Sequence, residues 1–169
     1  DGTLAHDSPD GPIAACGGTY SAISNPINPG SRTIFQDVAI PAAPSATLRW
    51  TDIIRNHGTS FVHPGQEFRV EIRDPSDNSL LAKVFSTNPG DAPFQPCTAR
   101  CADVSAYAGQ TVRVNFVQED SLNYFNAHID DVCVTTNDTC PTGACCELGT
   151  AACVLNQAEA NCEAVGGIY

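Results

Sequence analysis

Hydrophobic and polar residues alternate in short runs along the middle of this chain, and most runs end at turn-forming residues. In the clearest run, residues 67–74, three large hydrophobic residues alternate with charged ones. A period of two is that of a β-strand with one buried face. The run ends in the turn-forming sequence DPSDN, and hydrophobic residues return at 80–85. Residues 67–85 are therefore predicted to form a β-hairpin.

The same alternation predicts more strands before residue 155, where no segment keeps the 3.6-residue period of a helix. Many short strands separated by Gly, Pro, Asn and Asp are typical of a β-sandwich. The sequence therefore predicts an all-β fold. The additional strands are expected at 31–40, 46–54, 111–117 and 127–134.

Composition divides the chain into three parts. Residues 1–15 are rich in Asp, Gly and Pro and are expected to form an extended arm. Residues 16–135 carry the strand pattern and form the predicted sandwich. Residues 136–169 hold five of the nine cysteines. Because so short a segment cannot build a hydrophobic core, disulfides are expected to hold it together as a small module.

The charge pattern excludes two classes of partner. The net charge is −11, and the eight Lys and Arg residues are scattered rather than clustered. Binding to nucleic acid or to an anionic membrane needs clustered basic residues, so neither is expected. No apolar run has the length of a membrane-spanning helix. The acidic surface suits divalent cations, or serves solubility alone.

Nine cysteines in a chain of this size indicate disulfides and an oxidising compartment. Zinc is the competing interpretation, but Cys97 and Cys101 have no matching second pair. The chain begins with Asp rather than Met, which fits removal of a leader during export. We expect an extracellular or cell-surface protein.

No catalytic arrangement is evident. The four histidines are far apart in sequence and form no paired metal motif. No serine lies in a Gly-x-Ser-x-Gly sequence, and no glycine-rich phosphate loop is present. The chain is therefore expected not to be an enzyme.

Two segments near the end of the predicted sandwich resemble a known group of folds. These are DVSAYAGQTVRVNF at 103–116 and AHIDDVCV at 127–134. Together they resemble the end of the jelly-roll sandwich in galactose-binding-like and MAM-like extracellular modules. The resemblance implies a jelly-roll-like β-sandwich, and it leaves carbohydrate binding, adhesion and a structural role open. It also implies a structural calcium ion, which members of the group often hold.

The C-terminal module has a resemblance of its own. TGACC at 142–146, Cys153, Cys162 and GGIY at 166–169 are similar to a cysteine-rich repeat of secreted bacterial surface proteins. In that repeat the Gly-Gly-x-Tyr sequence is followed by another cysteine. The chain ends at Tyr169, and a missing cysteine there would explain the odd total.

The calcium ion is expected at Asp130 and Asp131. In a strand these adjacent acids point to opposite faces, so one of them tends inward, where an unpaired carboxylate is costly. Calcium would remove that cost, with further oxygen ligands from Asp7 and Asp10 of the arm. Backbone amides or an arginine would satisfy the acid equally well.

Two disulfides are expected within the sandwich. Cys97 with Cys101 would close a short loop. Cys16 with Cys133 would tie the first strand to the last, which are often neighbours in jelly rolls. The other cysteines are assigned to the C-terminal module: Cys140, Cys145, Cys146, Cys153 and Cys162.

Two loops, 56–64 and 118–126, hold the best candidates for a ligand site. His57, Tyr124 and Asn126 combine aromatic rings with planar polar groups, as sugar-binding sites do. The alternative is that the aromatic residues of these loops, Phe61 and Phe125 among them, only close the ends of the core.

The sequence thus favours a non-catalytic structural or adhesive component of an extracellular assembly. The odd cysteine and the arm without a core of its own suggest that copies of the chain associate through their two ends, building a filament. The alternative function is a calcium-stabilised carbohydrate-binding module, with glycans as partners.

Overall fold

The structure is a computed structural model that describes residues 14–24, 29–138 and 140. Of the C-terminal segment it describes only the backbone of three short strands. The described part is almost entirely β-structure. Its strands are β1 (Ala22–Ser24), β2 (Gly30–Ala39), β3 (Ala46–Asn56), β4 (Gln66–Arg73), β5 (Leu80–Ser86), β6 (Phe94–Asp103), β7 (Thr111–Asp120), β8 (Phe125–Thr136), β9 (Thr142–Glu147), β10 (Cys153–Ala158) and β11 (Gly167–Ile168).

The first eight strands form two four-stranded antiparallel sheets. Sheet 1 has the order β1-β8-β3-β6, and sheet 2 has the order β2-β7-β4-β5. Strands that follow one another in the chain mostly alternate between the sheets, as in a jelly roll built from two Greek keys. The predicted all-β, jelly-roll-like sandwich is confirmed.

The strands with clear alternation were predicted correctly. The hairpin β4–β5 forms, and its turn is closed by a hydrogen bond from the Asn78 amide to the Asp74 carbonyl oxygen, 2.9 Å. Strand β6 was missed because Pro96 and few large hydrophobic residues mark it. Strand β1 is only three residues long and gives no pattern.

The core lies between the two sheets and is centred on aromatic rings. Trp50 of β3 packs edge-on against Phe85 and Phe116 of sheet 2, with ring centroids 5.9 and 6.0 Å apart. Phe68 of β4 packs against the same two rings. These side chains come from alternate positions of their strands, which is why the period-two pattern located the core.

Segments at both ends of the sandwich are held on the outer face of sheet 1. Before β1, Cys16 is bonded to Cys97 of β6. After β8, Cys140 is bonded to Cys101 of the same strand, and the Thr47 hydroxyl donates to the Asp138 carbonyl oxygen, 2.8 Å. The edge strand β6 is therefore the anchor for both segments.

Beyond the sandwich, the C-terminal strands form a small antiparallel sheet of the order β10-β9-β11. The side chains of this sheet are outside the described part of the chain. In the portion that is described, no helix has the length and apolar character needed to cross a membrane.

Candidate functional site

The structure brings the three predicted ligand residues together at one end of the sandwich. The ring centroids of His57 and Tyr124 are 4.8 Å apart, and the His57 amide donates to the Tyr124 carbonyl oxygen at 2.9 Å. The Asn126 side-chain amide donates to the Tyr124 hydroxyl at 3.1 Å. Asn126 is buried and His57 is exposed, so His57 and Tyr124 offer the accessible surface.

Phe61 and Phe125 contribute nothing to that surface. Both are fully buried, and their rings pack edge-on with centroids 5.8 Å apart. They close the end of the core, as the alternative interpretation of these loops proposed.

The predicted calcium ligands lie at a β-bulge in β8. Thr51 of β3 is opposite Asp130 and Arg49 is opposite Cys133, so β8 contains one extra residue at this point. Asp131 has a positive φ of 51° and is exposed. The expectation that one of the two acids points inward is therefore wrong, because the bulge breaks the alternation of the strand.

Asp130 is satisfied by backbone amides. Its Oδ2 accepts a hydrogen bond from the Gly17 amide at 2.9 Å, and its Oδ1 accepts one from the Asp131 amide at 2.8 Å. Among the described residues, no three His, Cys, Asp or Glu side chains form a group that could hold a metal ion. Asp7 and Asp10 lie outside that part of the chain, so a calcium site that includes them stays a prediction.

Both predicted disulfides are wrong. Cys97 and Cys101 lie in one extended strand, where four residues span about 13 Å, too far for a disulfide. The loop expected between them does not exist. β1 and β8 are neighbours as expected, but Cys16 precedes β1 and reaches across the sheet to Cys97, with the two Cα atoms 5.6 Å apart.

Cys133 is a free, exposed thiol on β8. The two disulfides use four of the nine cysteines, and Cys133 is a fifth. The remaining four are in the C-terminal segment, where side chains are not described, and four can pair among themselves. Cys133 thus accounts for the odd number without a missing cysteine. The four are Cys145, Cys146, Cys153 and Cys162.

Sequence reasoning missed an apolar groove between the two sheets. β1 and β2 occupy corresponding edges of sheets 1 and 2, but β1 has three residues and β2 has ten. Beyond β1, the inner face of β2 is therefore uncovered. Ile34 and Gln36 are directly opposite the core residues Phe116 and Val114 of β7, yet both are exposed.

The groove has a volume of about 330 Å³. One wall is β2, the other is β8, and core residues form the floor. Ile34 and Val132 are each 47 % exposed, which is unusual for aliphatic side chains facing the interior of a sandwich. We call this site the β2–β8 groove. Its lining is Ala22, Ile34, Phe35, Gln36, Val38, Leu48, Val114, Phe116, Ile129, Val132, Cys133 and Val134.

The β8 wall also has an unused strand edge. β3 pairs with β8 along its whole length, whereas β1 pairs only with Ala127–Ile129. From residue 130 to 136, β8 therefore has no second partner strand among the described residues. In a strand with one partner, every second residue directs its N–H and C=O to the open side. The groove combines apolar side chains with these backbone groups.

A second depression lies on the outer face of sheet 2 and is polar, with a volume of about 360 Å³. Asn115 lies in it, and the Oδ1 atom of this buried residue has no hydrogen-bond partner within the described residues. Arg69 and Arg73 both donate to Glu71. Burial alone would raise the pKa of Glu71, but these hydrogen bonds and charges lower it. Glu71 therefore stays ionised.

Comparison with known proteins supports the fold. No family model matches the chain, and no curated protein matches it. Solved structures do match. The K3 cleaved adhesin domain of Lys-gingipain from Porphyromonas gingivalis W83 superposes with a TM-score of 0.51 and 12 % identity, covering 78 % of this chain and 83 % of that one. The K1 domain of the same protein gives 0.50 and 9 %, covering 81 % and 82 %. At this identity the likeness establishes a shared β-sandwich fold.

Proposed function

We propose that this chain is a non-catalytic, extracellular module with a structural or adhesive role, and that copies of it associate through the β2–β8 groove. The groove is the observation that carries the proposal. A folded domain rarely leaves part of its core and an adjoining strand edge open, and such a feature marks an interaction site.

Several other features support this role. The disulfides fit an oxidising compartment. The similar gingipain domains are adhesin domains. Two of the three described histidines have structural surroundings: His63 lies between Glu67 and Asn88, and His128 is buried.

Sedimentation of the native, non-reduced protein tests the proposal. We expect assemblies larger than a monomer in the wild type and monomers in Ile34→Asp, because a charge in the groove would have to be desolvated. The control is Leu80→Asp, which alters a comparably exposed aliphatic residue (53 %) on β5, the opposite edge of sheet 2. The role of the groove would be refuted if the wild type were a monomer, or if Ile34→Asp and Leu80→Asp lost assembly to the same extent.

We propose carbohydrate binding as the second candidate, because His57, Tyr124 and Asn126 do come together in space. A glycan array with the wild type would identify a ligand. Tyr124→Ala should remove binding there, whereas Asn115→Ala should remove it only if the polar depression of sheet 2 is the site. Failure of the wild type to bind any glycan above background would eliminate this candidate.

Calcium belongs to that second candidate. A β-carbon at Gly17 would lie 2.6 Å from Asp131 Oδ2, so glycine leaves space in front of this carboxylate. Calcium held there by the folded state alone would raise the melting temperature by mass action. We expect a chelator to lower the melting temperature of the wild type and not that of Asp131→Asn. If the chelator leaves the melting temperature of the wild type unchanged, calcium binding at this position is excluded.

A further inference from the structure

We infer that the β2–β8 groove is filled by residues 1–13 of a second copy, added as a strand beside β8. This inference rests on the proposed self-association and names the segment that enters the groove. The shape of the groove, the anchor point of residues 1–13 and the composition of that segment support it.

The groove accepts one strand and not another sheet. β1 pairs with the start of the β8 edge, and an occupant would continue the line of β1 from residue 130 to residue 136. Beneath that line lies β2, the edge strand of sheet 2. If a sheet of another molecule paired edge to edge with β8, the second sheet of that molecule would collide with β2. A single extended segment avoids this collision and covers the apolar side chains, as in β-strand addition.

The groove suits a segment of about seven residues. Residues 130–136 of β8 extend over roughly 23 Å at the rise of a β-strand. At one end the site stops at β1. At the other end Asn137 has a positive φ of 59°, and the chain turns to Asp138, whose carbonyl oxygen accepts a hydrogen bond from Thr47. An added strand therefore has defined limits at both ends.

The disulfide to β6 fixes the point from which residues 1–13 start, on the outer face of sheet 1. Cys16 is fixed beside Cys97 on the strand at the far edge of sheet 1. β3 and β8 separate that strand from the groove, a distance of about 15 Å at ordinary strand spacing. The Gly17 amide donates a hydrogen bond to the Asp130 side chain, so the residues that follow Cys16 already occupy the surface over Asp130. The anchor point lies on the outer face of sheet 1, whereas the groove opens between the two sheets. Residues 1–13 would have to turn around the edge of β8 to enter the groove of their own molecule, which favours a neighbouring molecule as acceptor.

Residues 1–13 contain a segment suited to the groove. Residues 3–8, TLAHDS, contain neither Pro nor Gly, which are unfavourable inside strands. Leu4 is the large aliphatic residue of this segment and is the side chain expected to pack against Ile34 and Val132. Residues 9–13 follow this segment and extend over about 16 Å at the rise of a β-strand, which is available to connect the two molecules. The C-terminal strands are a poorer choice, because β9, β10 and β11 already pair with one another.

Each molecule would donate its residues 1–13 to one neighbour and accept the same segment of another neighbour in its groove. This arrangement is a head-to-tail contact. Such a contact repeats until the rotation between molecules closes a ring, and otherwise it builds a filament. The inference therefore supplies a contact for the filament expected from the sequence.

Complementation between two full-length variants tests the inference. Leu4→Asp damages the donor segment and keeps the groove, whereas Ile34→Asp damages the groove and keeps the donor. Each variant alone should sediment as a monomer. Mixed in equal amounts, they should form a heterodimer with twice the monomer mass, because one intact donor meets one intact groove. The control pair, Leu4→Asp with Leu4→Asp/Ile34→Asp, should remain monomeric.

The outcomes separate the two proposals. If Leu4→Asp alone assembles like the wild type, another segment fills the groove and the inference is wrong, while the proposed self-association stands. If both variants are monomers and the mixture stays monomeric, docking between copies by this route is refuted. If the wild type itself is a monomer, the proposed function fails with it.

Discussion

Asp52 and Arg100 place opposite charges inside sheet 1. Asp52 is fully buried, its Oδ2 accepts a hydrogen bond from the Trp50 indole at 2.9 Å, and the Arg100 Nε is 3.5 Å away. The Arg100 guanidinium also lies over the Phe85 ring, 4.5 Å from its centroid. The pair fixes the central tryptophan in one orientation, and each charge depends on its partner because water is excluded.

Removing the negative charge of this pair should destabilise the fold strongly. Asp52→Asn keeps an acceptor for the Trp50 indole but leaves the Arg100 charge buried without its counter-ion, and such a loss costs about 3–5 kcal/mol. The measurement is the urea midpoint at neutral pH. Asp37→Asn is the matched control: Asp37 forms an exposed pair with Arg113 and should change the midpoint little. Equal midpoints for the two variants would contradict this account.

His128 should make the fold sensitive to mild acid. Its side chain is buried on β8, and within the described part of the chain its Nε2 has no hydrogen-bond partner. Burial, and then the charge of Arg55, lower the pKa of His128. The unfolded chain therefore binds a proton more readily than the folded one below about pH 6.5, and the free energy of unfolding falls as the pH drops through that value.

Urea unfolding at pH values from about 7 down to about 5 measures this loss. His128→Gln should reduce it, because the buried titrating group is gone. His57→Gln, which replaces an exposed histidine, is the control substitution. A pH profile of His128→Gln identical to that of the wild type would show that His128 is not its source.

At the scale of the elements, β6 holds the molecule together although it has little hydrophobic pattern. Among the described residues it pairs only with β3, but its two cysteines fix the segment before β1 and the segment after β8. These cross-links enclose large parts of the chain, with sequence separations of 81 and 39 residues. Closing long loops restricts the unfolded chain, which is the main way a disulfide stabilises a fold.

Digestion with trypsin of the non-reduced protein can verify the pairing, because Arg100 separates the two cysteines of β6. Peptide 84–100 should be joined to 1–32, and peptide 101–113 should be joined to 114–169. Reduction should release all four. A species in which 84–100 is linked to 101–113 would restore the pairing Cys97–Cys101 and contradict the structure.

The elements show which parts of the fold a sequence pattern can reveal. Strands β3 to β5, β7 and β8 have a buried face, so their alternation gave their positions. Strand β2 was located from its hydrophobic residues alone, because almost all of its residues are exposed. The β-bulge at Asp131 could not be predicted from the sequence. Because of this bulge, neither acid points inward as the calcium hypothesis expected. The groove depends on the difference in length between β1 and β2, two strands that are not neighbours in any sheet. Such a relation between separate elements is fixed by tertiary packing, which local periodicity does not encode.

At the scale of the whole molecule, the net charge opposes association between copies of the chain, whereas the groove favours it. A net charge of −11 makes copies of the chain repel one another. The groove favours association through buried apolar area and backbone hydrogen bonds, and neither depends strongly on salt. The donor segment adds to the repulsion, since residues 1–13 contain three aspartates and no Lys or Arg.

Salt should therefore strengthen the assembly. Raising NaCl from about 0.02 M to about 0.5 M shortens the Debye length from roughly 20 Å to roughly 4 Å, which screens repulsion between molecules. Sedimentation of the wild type should show larger species at high salt, whereas Ile34→Asp should be monomeric at both concentrations. An interface built from ion pairs would behave in the opposite way, because screening weakens attraction between unlike charges. Assemblies that dissolve as salt is added would thus point to a charged contact elsewhere on the surface and away from the groove.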